Sequence, residues 1–382
     1  MSRVAGWHLG NSIARLVNLI GLVPILATAS AEYYWAQPDA DWSNSDNIAG
    51  HACRTADELK KGHASFAFRT RVSCRNVEGM RALLTGLSRR GLLIGGGCTA
   101  LGAVSGGAAY GLVEHGVLPG KYRLDAFLGA CGGDPGVPRV ATGPVVRQQF
   151  YSRYRKRVVN MITMLPPGHA RGLPVVLALH GAGGDAAGEV GLGYSQYLAA
   201  GAEAFAVVAV DGGGATYWHP RADGDDPQGM LIYEVLPRLQ QQGYRVGRVG
   251  LSGQSMGGYG ALLLAARLGP AGVAAVAVSS AAIFGSYADA ITANPGSFDS
   301  PADFAAHNVR SADEVAVLRR IPVRIDCGSD DPFAPQDTLL RASLRGPNLA
   351  GAISGGCHDA RFFQRYLPAQ LSYLGQHLQG AR

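Results

Sequence analysis

The 382-residue sequence has no C-x-x-C pair and no zinc-type spacing among its six cysteines. That leaves no sign of a thiol redox motif or a zinc finger. It shows no internal repeat of about 20–50 residues, so solenoids and propellers are not indicated. No region concentrates charge of one sign. The formal net charge is +6; residues 1–136 hold 13 Lys/Arg against 10 Asp/Glu, so +3 falls there and +3 in 137–382. The one basic cluster, Arg153-Tyr154-Arg155-Lys156-Arg157, reads as the solvated tip of a hairpin, and no nucleic-acid partner is expected. What is present is apolar content: 47% of residues are hydrophobic, enough for a full globular core.

Long apolar runs are also scarce. Leu16 to Ala27 is too short to span a bilayer; with Arg3 and Arg15 before it and Ala27-Thr28-Ala29-Ser30-Ala31 after it, it resembles a secretory signal. Residues 32–79 show neither helical nor strand period, and 1–79 are expected to be a poorly ordered extension. Ser88-Arg89-Arg90-Gly91-Leu92-Leu93 then opens a Gly/Ala-rich run to about Ala109, the twin-arginine export pattern, eight residues after Met80. The expectation is a native start at Met80, with 1–79 an over-long gene model or a dispensable extension, and 80–112 an export signal. The competing reading makes residues 91–112 a membrane anchor. Cys98 follows Gly95-Gly96-Gly97 without the leucine of a lipoprotein cleavage site. Residues 113–136 read as a linker and 137–382 as the catalytic domain. The protein is expected to be exported, to the cell envelope or beyond it.

From residue 145 onward strands and helices alternate. Val145–Tyr151 and Val158–Leu165 predict a hairpin. Val175–Leu179, Ala206–Val210, Val246–Leu251, Gly272–Ser280, Pro322–Cys327 and Leu349–Ile353 predict further strands; the continuous apolar runs mark strands covered on both faces. Helices are predicted over 188–201, 228–242, 261–268, 315–319, 335–344 and 360–378. Residues 283–311 lack a clear period and are assigned to a small cap. The pattern gives an α/β fold with a mostly parallel central sheet and helices on both faces, whose ligands bind beyond the carboxyl ends of the strands.

One stretch carries the chemistry. Gly253-Gln254-Ser255-Met256-Gly257 lies between a strand and a helix, the setting of a nucleophile elbow. A serine hydroxyl needs a base, and the base needs an acid that fixes its tautomer. His307, His358 and His377 follow Ser255; only His358 sits in the loop after the last strand, so it is the expected base. Asp330 and Asp331 lie just past the strand that ends near Cys327, and local physics does not choose between them.

Together, Gly253–Ala261, Asp326-Cys327-Gly328-Ser329-Asp330-Asp331-Pro332-Phe333 and Gly356-Cys357-His358-Asp359 resemble the Putative-esterase branch of the α/β-hydrolases. That branch includes esterase D-type enzymes, feruloyl esterases and antigen 85 mycolyltransferases. The likeness covers about 137–382. It implies that Asp331, the last Asp of Gly-x-x-Asp-Pro, is the acid. The export pattern resembles that of actinobacterial secreted esterases. His180-Gly181-Ala182 departs from antigen 85, which has no histidine there. The second oxyanion N–H, beside that of Met256, is expected from Ala182, with His180 ordering the loop. Tyr217 and Trp218 are expected to line the substrate pocket. Cys327 and Cys357, flanking acid and base, are expected to pair as a disulfide in an oxidising compartment. The implied activity is that of a serine carboxylesterase on a small-molecule or lipid ester, without metal, cofactor or obligate protein partner. Alternatives are an acyltransferase using the same triad and a non-enzymatic binding protein on the same fold.

Overall fold

The computed structural model describes residues 131–133, 135–168, 172–201 and 204–379. The expectations for residues 1–130, including the export signal and the anchor, lie outside the described residues. Among the described residues the alternation produces nine strands: β1 (Val145–Ser152), β2 (Arg157–Met164), β3 (Pro174–Leu179), β4 (Ala206–Val210), β5 (Arg245–Gln254), β6 (Val273–Ser279), β7 (Val323–Gly328), β8 (Leu349–Ala350) and β9 (Ile353–Ser354). They lie in the order β1-β2-β4-β3-β5-β6-β7-β8, with β9 also pairing β7. The β1–β2 and β2–β4 pairs are antiparallel and all others parallel.

The strands that read as unbroken apolar runs are those buried from end to end, β3, β4 and β6. Their side chains divide between two cores, as strand alternation requires. Val175, Leu177 and Leu179 face one core with Leu262, Leu263 and Leu264; Val176 and Ala178 face the other with Tyr194, Leu198, Leu371 and Leu374.

The helices are α1 (Ala186–Gly191), α2 (Tyr194–Ala200), α3 (Pro227–Met230), which passes through a π-helical turn (Leu231–Val235) into α4 (Leu236–Gln241), α5 (Met256–Gly272), α6 (Tyr287–Ala293), α7 (Pro301–Ala306), α8 (Ala312–Leu318), α9 (Ala334–Ser343) and α10 (Ala360–Gln379). In α5 the helical geometry breaks at Gly269 (φ 66°, ψ −178°), before Pro270. The first core lies against α5 and the second against α2 and α10, so helices cover both faces.

Three details differ from the sequence reading. The final predicted strand is two short ones, because the chain turns at Gly351 (φ 81°), where a Cβ would lie 2.3 Å from the Ile325 carbonyl oxygen. The segment assigned to a cap, 283–311, is built from α6 and α7 and ends at the cap of α8; each of these helices is opened by a serine, Ser286, Ser300 or Ser311, whose hydroxyl accepts an N–H of the first turn. The basic hairpin tip is not wholly solvated. Arg155 is buried, held by both carboxylate oxygens of Asp225 and donating to the Asp211 carbonyl.

Candidate active site

The strand β5 ends and α5 begins within one residue of each other, and Ser255 occupies the joint with φ 54° and ψ −122°. That backbone is costly for a residue with a Cβ and persists only where the surroundings impose it. Its neighbours show how. A Cβ on Gly253 would lie 2.4 Å from the Gly257 carbonyl carbon, and one on Gly257 would lie 1.7 Å from the Leu179 carbonyl oxygen. Glycine at both positions is what lets the turn close against the end of β3. Ser255 N–H donates to the Ser279 carbonyl (3.1 Å), and its own carbonyl accepts from Tyr259 (3.1 Å) and Ala282 (2.9 Å).

Three side chains distant in sequence meet here. His358 Nε2 lies 2.9 Å from Ser255 Oγ, and His358 Nδ1 lies 2.8 Å from Asp331 Oδ2. The other Asp331 oxygen accepts from the Phe333 N–H at 2.8 Å, so the carboxylate is fixed at both ends. Asp330, left open by the sequence, turns away: its carboxylate accepts from the Ser329 hydroxyl. Asp326 is paired with Arg324 inside the sheet, and His307 and His377 bond within their own helical turns. Phe333 and Phe363 meet the imidazole of His358 edge to face, at 5.2 and 5.4 Å between ring centres. Neither phenylalanine was singled out from sequence.

The loop after β3 lies beside the nucleophile; a Cβ on Gly181 would sit 3.5 Å from that of Ser255. His180 organises it. The Gly212 N–H donates to His180 Nε2 (2.8 Å), so the ring proton is on Nδ1, which donates to the Gly181 carbonyl (2.8 Å). Burial lowers the His180 pKa, in keeping with a neutral ring. Trp218 Nε1–H donates to the His180 carbonyl, Gly183 N–H to Gly214 and Gly184 N–H to Gly181. Among the described residues the N–H groups of Ala182 and of Met256, the first residue of α5, donate to no backbone carbonyl.

Two expectations are corrected. Trp218 is fully buried and Tyr217 is 3% exposed, so neither lines an open pocket. Trp218 fills the space above Gly212 and Gly260, and Tyr217 packs against Tyr259, Phe284 and Phe298. The second correction concerns the thiols. Cys357 is joined to Cys131, not to Cys327. Cys327 is a buried free thiol whose neighbours are Asp337 and Ser280; burial, then Asp337 and Asp331, push its pKa up. Cys131 comes from the stretch read as a linker and is itself buried, with its carbonyl held by Arg365.

Behind the nucleophile, Gln254 Nε2 donates to Glu189 Oε1 (2.6 Å) and the Tyr194 hydroxyl meets that of Ser252 (2.7 Å). Burial pushes the Glu189 pKa up to about 7, against the Gln254 bond, which lowers it. Among the described residues no helix is long and apolar enough to cross a membrane.

The sequence model of the family described as Putative esterase matches residues 152–349, just over half the chain. The match includes Ser255 and Asp331 and stops before His358. No curated protein matches. Similar solved structures include a ferulic acid esterase (TM-score 0.51, 20% identity, covering 62% of this chain and 98% of that one). An S-formylglutathione hydrolase from Agrobacterium tumefaciens is also similar (TM-score 0.52, 16% identity, 64% and 99%). So is MPT51 (FbpC1) of Mycobacterium tuberculosis (TM-score 0.52, 19% identity, 63% and 100%). At these identities the likeness concerns the fold, which is that of the α/β-hydrolases. With the family model spanning more than half of its length, the chain belongs to the Putative esterase family of serine ester hydrolases.

Proposed function

We propose that the chain hydrolyses small carboxylic esters through an acyl-enzyme on Ser255. The observation that carries this reading is the unbroken relay from Asp331 through His358 to Ser255, with contacts of 2.8 and 2.9 Å. Asp331 accepts the Nδ1 proton of His358, which leaves a lone pair on Nε2 facing the hydroxyl. As Ser255 Oγ attacks the ester carbonyl carbon, its proton passes to Nε2 and the carbonyl oxygen becomes an oxyanion. The N–H groups of Met256 and Ala182 are the donors for that charge. Collapse breaks the bond to the alcohol, which leaves with the proton from Nε2. Water then repeats the sequence on the acyl-enzyme and releases the acid.

Export is part of the same proposal. It is supported by the Cys131–Cys357 disulfide, since such bonds persist mainly in oxidising compartments. The test of activity is a series of p-nitrophenyl esters of rising acyl length, read for a burst of about one equivalent of nitrophenol and for free acid as product. Ser255→Ala is expected to lower kcat by ~10⁴–10⁶-fold; unchanged turnover in that variant contradicts the assignment. Transfer of the acyl group to an added alcohol in place of water would make the protein an acyltransferase.

A further inference from the structure

Away from the nucleophile, the loop between β4 and α3 meets α7 through three side chains that the esterase chemistry does not use. His219 comes from the loop; Asp303 lies in α7 and His307 closes that helix one turn later. One ligand atom from each of His219, Asp303 and His307 falls within 4.8 Å of the others. The separations to Asp303 Oδ1 are 3.6 Å from His219 and 2.9 Å from His307. Tetrahedral zinc with N and O ligands needs ligand atoms roughly 3.4 Å apart.

The hydrogen bonds around the cluster leave one lone pair without a proton to face. His219 is fully buried and both of its ring nitrogens meet carbonyl oxygens: Nε2 that of Ser297 (3.0 Å) and Nδ1 that of Pro220 (2.9 Å). A neutral imidazole has one N–H and can satisfy one of them. With the proton on Nε2 toward Ser297, the Nδ1 lone pair points among the Pro220 carbonyl and the Asp303 carboxylate. A cation bound there would take up both electron pairs in place of the His307 Nδ1–H, which donates to Asp303 Oδ1 (2.9 Å). Donation of the distal N–H to a backbone carbonyl is also the way metal-bound histidines are held in one tautomer. The carboxylate is prepared in the same manner: Asp303 Oδ2 accepts from the Asp299 N–H (2.8 Å), which leaves Oδ1 turned to the histidines.

We propose that His219, Asp303 and His307 form a binding site for a divalent transition metal ion of the zinc type, with the Pro220 carbonyl or a water as fourth ligand. The ion ties the loop before α3 to α7. His307 is the member that moves. Its ring stacks on His219 at 4.5 Å between centres and 21° from parallel, so its Nδ1 must swing toward the ion. It is also the most exposed of the three, with 24% of its side chain accessible, and gives the ion its way in. The site is separate from the Ser255 relay and does not depend on the esterase reading.

The test uses full-length protein stripped with a chelator and titrated with zinc chloride. One ion per chain and a rise in Tm of about 5–10 °C at roughly 100 times Kd are expected. Cobalt(II) is expected to give the strong visible absorption of a tetrahedral N/O site. Both signals should vanish in His307→Ala and persist in His377→Ala, a histidine outside the cluster. No change in Tm with zinc, or an equal response in His307→Ala, overturns the proposal and leaves the esterase assignment untouched.

Discussion

Asp331→Asn is the most instructive single substitution, because the structure dictates which way the new amide must face. The carboxylate now accepts at both oxygens, from the Phe333 N–H at 2.8 Å and from His358 Nδ1 at 2.8 Å. An asparagine has one oxygen. Facing its NH2 to the Phe333 N–H sets two donors against each other in a buried site, so the oxygen stays there and the NH2 turns to His358. Nδ1 must then accept, and the ring proton moves to Nε2, where it points at Ser255 Oγ. The base has lost the lone pair it needs, with the fold intact. The expected fall in kcat/KM is ~10⁴-fold, or about 5.4 kcal/mol of transition-state stabilisation. Steady-state hydrolysis of p-nitrophenyl butyrate measures it. Asp330→Asn is the control, since that carboxylate accepts from the Ser329 hydroxyl while His358 is held by Asp331; it should stay within about twofold. If Asp331→Asn kept more than a tenth of the activity, or Asp330→Asn fell as far, the assignment of the acid would be refuted.

Four further outcomes follow from the same geometry. Gly257→Ala puts a Cβ 1.7 Å from the Leu179 carbonyl; the displaced oxyanion loop should lower kcat by at least ~10²-fold, and near-normal kcat would show that the elbow tolerates the shift. Cys131→Ser should remove about 2–5 kcal/mol of stability, read from the urea midpoint of unreduced protein. Cys327→Ser should leave the Cys131–Cys357 cross-link intact on non-reducing peptide mapping, and loss of that cross-link would restore the pairing expected from sequence. Glu189 has its pKa raised from 4.5 to about 7 in the folded state. The native protein therefore binds more protons between those values, and this group's stabilisation is complete below pH ~4.5 and lost as pH rises through ~7. The change is on the order of 3 kcal/mol, and Glu189→Gln should flatten it in urea melts at pH 5 and 8.

How much of this was legible in the sequence varied with the physics involved. The strands β3 and β4 stood out because a strand buried on both faces has no polar residues to interrupt it. Ser255 and His358 could be placed because a strained turn demands glycines at fixed spacing and the base must follow the last strand. The choice between Asp330 and Asp331 turned on side-chain direction in one loop, which the family pattern indicated and composition did not. The cap helices α6 and α7 were missed, and the start of α8 was placed three residues late, although each carries a readable start: Ser286, Ser300 and Ser311 are followed three residues later by Asp289, Asp303 and Glu314, the serine-acid spacing of a capping box. They are short, and their apolar faces are too brief to show a period. The disulfide could not be read, since six cysteines allow many pairings and Cys131 reaches Cys357 across 226 residues. Trp218 was misplaced because a Gly-rich strand end suggests an open mouth, while Gly212 and Gly260 in fact make room for the indole. The cluster of His219, Asp303 and His307 joins a loop to a helix 84 residues later and leaves no motif at all.

The most direct measurement for the account as a whole is labelling of the folded protein with a fluorophosphonate, followed by peptide mapping. The account predicts one adduct per chain, on the peptide that contains Ser255, with labelling slowed by orders of magnitude in Asp331→Asn and His358→Ala. An unlabelled Ser255 in active protein, or an adduct on a different residue, would contradict it.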